Sequence, residues 1–217
     1  FRSIQQRLAG SLRYILEELN NAGLGVSGDA FDGVLQRLSD GPVSPLLFGA
    51  YCDLVLALES DVPEDVPPLL AEIAAAPNIV PGPEIMVLAD PASDPASNRY
   101  RRLMDTDAGM PSIIRPPAAE DVDRTRALMD AAFVLLDAGY PEMAAEIRGI
   151  VRTIVLATGP EDPKAPRFDG LSCFMMWGAV VLNVTAYKTA LDMAQALAHE
   201  SGHTLLFGLC THGPLRS

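Results

Sequence analysis

The sequence predicts an α+β domain, predominantly helical, with a small sheet packed against its last helix. Three observations carry that expectation. Apolar residues recur at helical spacing along 3–21, and start and stop signals bracket a further helix over about 118–137. Two runs, IVRTIVLATG and LSCFMMWGAVVLNV, are rich in β-branched and aromatic residues and are bounded by Gly and Pro, as buried strands are. The stretch ALDMAQALAHESGHTLLFGL then continues without a proline and reads as a helix from Lys188 to Leu209.

In the first helix Ile4, Leu8, Leu12, Ile15 and Leu19 form one apolar stripe with charges opposite. Ser44 followed by Pro45 is a good N-cap and first-turn pair for a helix through about Glu59. A third helix spans about Ala118 to Asp137, opened by Glu120 and Asp121 and closed by Gly139 and Pro141. Between residues 63 and 117 stand 11 of the 18 prolines, so that stretch reads as a connection or lid with one helix, Leu69 to Ala76, and one strand, Glu84 to Leu88. The expected organisation is a single domain over 1–217: a helical part at 1–62, the proline-rich segment at 63–117, and helix, strands and a final helix over 118–217.

The chain has 217 residues, enough to bury a substantial core without disulfides or metals as staples. With Lys+Arg 16 against Asp+Glu 28, its formal charge of -12 repels nucleic acid and anionic membrane surfaces, so neither is expected as a partner. The acidity lies upstream: residues 164–217 sum to +1. The longest apolar run, Leu171 to Val184, is shorter than the roughly 20 residues of a bilayer helix and reads as buried β-structure. Three widely spaced cysteines, Cys52, Cys173 and Cys210, with no CxxC pair, suit free thiols in a reducing compartment. No cationic leader with an apolar stretch opens the sequence, and the expected location is cytoplasmic. Oligomeric state is not legible.

All three histidines, His199, His203 and His212, fall near the end of the sequence, two of them in His199-Glu200-Ser201-Gly202-His203, an HExxH motif. Residues four apart on a helix share a face, so both imidazoles can reach one metal ion at about 2.0 to 2.1 Å. Glu200 is rotated about 100° from His199, poorly placed as a ligand but able to hold a metal-bound water or a substrate group. The pattern arises by chance in roughly two of a thousand chains of this composition. The competing bland reading ties each ring to a protein carbonyl or carboxylate on a core-facing helix.

A two-histidine site needs a further ligand. The extended HExxHxxGxxH pattern is excluded, because Leu206 and Leu209 stand where it needs glycine and histidine. His212 is the nearby candidate, beyond the Gly208 expected to end the helix; the alternative for it is a solvated loop histidine. Asp169 is an upstream possibility, and Asp192, two turns before His199, reads as an acceptor behind the ligands. No serine-hydrolase elbow, Walker loop or dinucleotide glycine pattern follows a strand. Met175, Met176 and Trp177 read as core, and Cys210 beside His212 as packing or coincidence.

The stretch GAVVLNV, the helix carrying ALAHESGHTLLFGL and the following GPL resemble the HExxH-motif proteins encoded beside ribosomally made, post-translationally modified peptides, over about residues 178–215. The resemblance implies an Fe(II)- and 2-oxoglutarate-dependent peptide β-hydroxylase with His199 and His203 as iron ligands and Glu200 as the motif carboxylate. Its substrate would be a precursor peptide. The third ligand and the cation that anchors 2-oxoglutarate stay open; Arg167 and Arg216 are the arginines near the motif in sequence. The sheet is expected to pack on the motif helix in a zincin-like arrangement.

Two chemistries follow from the motif. Iron with 2-oxoglutarate and O2 would hydroxylate a β-carbon; Zn²⁺ with Glu200 as general base would hydrolyse a peptide. Imidazole suits both metals. In either case the strand around Gly178, Ala179, Val180 and Leu182 is expected to bind an extended peptide by edge addition. A non-catalytic peptide-binding protein is the third possibility.

Overall fold

The computed structural model describes residues 2–23, 28–60, 62–76, 82–104, 114–162, 164–165 and 167–210. The chain forms two compact units, Phe1–Val80 with Gly208–Ser217, and Pro81–Phe207. The division at 80/81 falls inside the proline-rich segment, which holds ordered elements on both sides of it.

The first unit is helical: α1 (Arg2–Asn21), α2 (Gly28–Asp40), α3 (Pro45–Glu59), a 3₁₀ turn at Pro63–Asp65 and α4 (Val66–Ala75). The stripe on α1 buries Ile4, Leu8, Leu12, Leu16 and Leu19. Leu16 takes the place expected for Ile15, which is half-buried, because the stripe drifts around the helix at 3.6 residues per turn. Ser44 caps α3 as expected, its Oγ accepting from the Leu46 N–H at 3.2 Å with Pro45 as the first helical residue.

The second unit carries the motif. Its elements are β1 (Glu84–Val87), α5 (Pro95–Met104), α6 (Ala119–Gly139), α7 (Pro141–Ile150), β2 (Thr153–Ala157), β3 (Gly170–Leu171), a 3₁₀ turn at Phe174–Met176, β4 (Ala179–Asn183) and α8 (Ala190–Leu209). The sheet order is β1-β2-β4-β3; the first three strands are parallel, and β3 runs antiparallel to β4. The molecule is therefore α+β, mostly helical, with one small mixed sheet.

Strand alternation decides what faces what. Ile154 and Leu156 of β2 and Val180 and Leu182 of β4 share a buried cluster with Met129 and Leu136 of α6, Ile147 of α7, and Met193, Ala194 and Leu197 of α8. The motif helix thus shares a core with the sheet. On the opposite sheet face, Tyr100 of α5 is buried and its hydroxyl hydrogen-bonds the Thr153 side chain. Two ties fix the end of β4: the Val184 carbonyl accepts from Arg124 Nη2 at 2.9 Å and from Thr125 Oγ1 at 3.3 Å, both on α6.

The run LSCFMMWGAVVLNV is not one strand. It yields the two-residue β3, the 3₁₀ turn and β4, and the break comes at Gly178, whose φ of 90° suits glycine. Among the described residues no helix is long and apolar enough to cross a membrane.

Candidate metal centre

The helix that presents the motif is fixed at its start by a reciprocal cap. Asp192 Oδ2 accepts from the Thr189 N–H at 3.0 Å, and Thr189 Oγ1 accepts from the Asp192 N–H at 3.1 Å. Those hydrogen bonds hold the Asp192 carboxyl below its usual value, with the Thr189 side chain the largest cause. Asp192 therefore caps α8, which corrects the expectation that it backs a histidine.

Two turns later the imidazoles meet. Nε2 of His199 and Nε2 of His203 are 3.1 Å apart, with ring planes at 86°. His199 is exposed and His203 half-buried, with Phe207 stacked against the latter at 6.4 Å. Among the described residues neither ring hydrogen-bonds a carbonyl or carboxylate, so the bland reading of the pair lacks its partners. With metal–nitrogen distances near 2.05 Å, a 3.1 Å separation subtends about 98° at a shared ion, between the octahedral and tetrahedral angles. The separation suits the bite of one Fe(II) or Zn²⁺ ion, and it is equally that of a hydrogen bond between the two rings.

Glu200 points elsewhere. It is 6% exposed, and its Oε2 accepts from the Ser172 hydroxyl at 2.8 Å. A Cβ on Gly170 would lie 2.6 Å from Glu200 Oε1, so the carboxylate packs directly on the β3 backbone and needs glycine there. Sequence reading missed both Gly170 and Ser172, because a contact across 28 residues leaves no local pattern.

An open groove of about 610 Å³ runs beside His199, lined by Asp169, Gly170, Tyr187, Lys188, His199 and Glu200 among others. Tyr187 donates to the Asp169 carbonyl at 2.5 Å, and the Asn183 N–H donates to the same carbonyl at 2.9 Å. Burial first, then the negative Asp169 and Glu200, push the Tyr187 phenol up, so it acts as a hydrogen-bond donor.

Among the described residues no third His, Cys, Asp or Glu clusters with the pair. His212 and Arg216 lie outside the described residues. Arg167 lines a different groove from His199.

The expected peptide edge needs correction. Gly178 and Ala179, Val180 and Leu182 of β4 are buried, and β4 lies inside the sheet, paired with β2 along its length and with β3 at Val181 and Leu182. The last strand of the sheet on that side is β3. A two-residue strand is too short to announce itself in a sequence, whereas the longer apolar run carries a clear strand signal.

No protein-family model matches the chain, and no curated protein is significantly similar to it.

Proposed function

We propose that the protein is a metal-dependent peptide-modifying enzyme, an Fe(II)- and 2-oxoglutarate-dependent hydroxylase acting on a β-carbon of a ribosomally made precursor peptide. The observation that supports this reading most is the His199–His203 pair, two otherwise unpartnered imidazoles separated by the bite of one metal ion. With 2-oxoglutarate and O2, bound iron supplies the oxidant that exchanges a substrate C–H for C–OH. The likeness of residues 178–215 to the peptide β-hydroxylases agrees with it.

The chain's own residues have definable parts in that reaction. His199 and His203 hold the metal from one helical turn, leaving the groove side open. Gly170 and Leu171 offer an edge to which an extended peptide can add, antiparallel or parallel, beside His199. Asp169 and Tyr187 shape that groove. Glu200, anchored by Ser172 and packed on Gly170, holds β3 against α8. Because β3 runs antiparallel to β4 and lies against Glu200 of α8 at Gly170, and sheet and helix share a core, a zincin-like arrangement is part of the proposal. A cytoplasmic setting is also part of it, in keeping with Cys52, Cys173 and Cys210 forming no disulfide with one another.

One observation favours a second reading. Glu200 lines the same groove as His199, so in a zinc peptidase it would take a proton from water there. Incubating the protein with a precursor peptide encoded near it, once with Fe(II), 2-oxoglutarate and O2 and once with Zn²⁺, separates the two by mass spectrometry. A product heavier by about 16 Da, one oxygen atom, supports hydroxylation. A shortened peptide supports the peptidase, and an unchanged peptide under both iron and zinc defeats both enzyme readings.

A further inference from the structure

We propose that a second groove, separate from the one containing His199, binds a small oxyanion, a carboxylate or phosphate group, between Arg115 and Arg167. This site does not depend on the function proposed above. The groove is about 390 Å³ and is lined by Arg115, Thr158, Gly159, Glu161, Arg167 and Asn183 among others. Thr158 and Gly159 directly follow β2, and Asn183 ends β4, so it lies beyond the carboxyl ends of two adjacent parallel strands.

The two arginines differ in what already holds them. The backbone of Arg115 is pinned by two 2.9 Å hydrogen bonds with Thr158, N–H to carbonyl in each direction. Its Nη2 pairs with Glu161 Oε1 at 2.7 Å, leaving the rest of the guanidinium fork unclaimed. Arg167 is exposed and has no hydrogen bond or ion pair among the described residues. The Asn183 wall is already satisfied: Nδ2 donates to the Phe168 carbonyl at 2.8 Å, and Oδ1 accepts from the Thr185 N–H and hydroxyl. The groove therefore presents two guanidinium groups against one carboxylate, a local positive excess on a chain of net charge -12. An oxyanion bridging them relieves their repulsion and matches the planar donor geometry of arginine. Glu161, 85% exposed at its side chain, acts as the internal competitor for Arg115.

The test is calorimetric titration of the metal-free protein with inorganic phosphate and, separately, with acetate at low ionic strength. The proposal expects saturable one-site binding that weakens as salt is added. Arg167→Ala should lower affinity roughly tenfold or more, the usual cost of losing a charge-assisted hydrogen bond. Glu161→Gln, by freeing Arg115, should tighten binding. Binding of phosphate but not acetate assigns a phosphate ligand, and the reverse a carboxylate. Absence of saturable binding to both, or equal affinity in Arg167→Ala with an unchanged circular-dichroism spectrum, would overturn the site.

Discussion

Ser172 Oγ donates to Glu200 Oε2 across 2.8 Å, joining the turn after β3 to the centre of the motif helix. Glu200 is 6% exposed, so removing this donor leaves a buried carboxylate short of one partner. Ser172→Ala should destabilise the protein by about 1–3 kcal/mol, measured by urea unfolding. Ser172→Thr keeps the hydroxyl and should recover most of that loss. Equal midpoints for wild type and Ser172→Ala would show that the hydrogen bond contributes nothing net.

Gly170 makes the other half of the same clamp. A methyl group there would meet Glu200 Oε1 at 2.6 Å and Cγ at 2.8 Å, so Gly170→Ala forces either the strand or the carboxylate to move. Overpacking of this kind costs about 1–3 kcal/mol. Shortening the acid removes the collision, so the double variant Gly170→Ala with Glu200→Ala should be less impaired than the two single losses added together. A double-mutant cycle on unfolding free energies measures the coupling, and strict additivity would refute the contact.

How much of this was legible in sequence depends on the range of the signal. The motif helix, the Ser44 cap and the α6 span are written in local periodicity and capping residues, and the structure shows all three. Three helices went unread. Pro141 looked like the stop of α6, yet it is also the first residue of α7, where its missing N–H costs nothing. Asp94, which accepts from the Ser97 N–H at 2.9 Å and opens α5, was hidden among prolines. In α2 a glycine and several polar residues diluted the apolar pattern. At the site, the pairing of His199 with His203 follows from spacing alone. The place of Glu200 does not, because Gly170 and Ser172 reach it only through the fold of the sheet.

The cap of α8 gives a pH prediction. The folded-state pKa of Asp192 lies below its ordinary 3.8, chiefly through the Thr189 hydrogen bonds. A carboxyl with a depressed folded pKa contributes stability above its unfolded pKa and loses it as pH falls through the folded value. Thermal midpoints should therefore decline as pH drops below about 4, the unfolded range of aspartate. Asp192→Asn keeps an acceptor for the Thr189 N–H but cannot titrate, so its decline over that window should be shallower. Parallel curves for the two proteins would remove Asp192 from the acid-sensitive groups.

The histidine pair predicts a stabilisation that depends on metal. An ion that binds the folded protein but not the unfolded chain raises stability by about 2.7 kcal/mol at a free concentration one hundred times its dissociation constant. The thermal midpoint should rise when Fe(II), added anaerobically, or Zn²⁺ is supplied, and fall again on chelation. His199→Ala and His203→Ala each remove one nitrogen of a pair only 3.1 Å apart. Each should lower metal affinity by more than the 10–100-fold typical of losing a residue that merely supports a ligand, and should lose the midpoint rise. Glu200→Gln alters neither imidazole and should keep the metal while changing stability through Ser172. Metal stoichiometry near one in wild type and Glu200→Gln, but near zero in both histidine variants, is the expected pattern. Retained metal in both histidine variants would show that the ion sits elsewhere, and the enzymatic reading would lose its foundation.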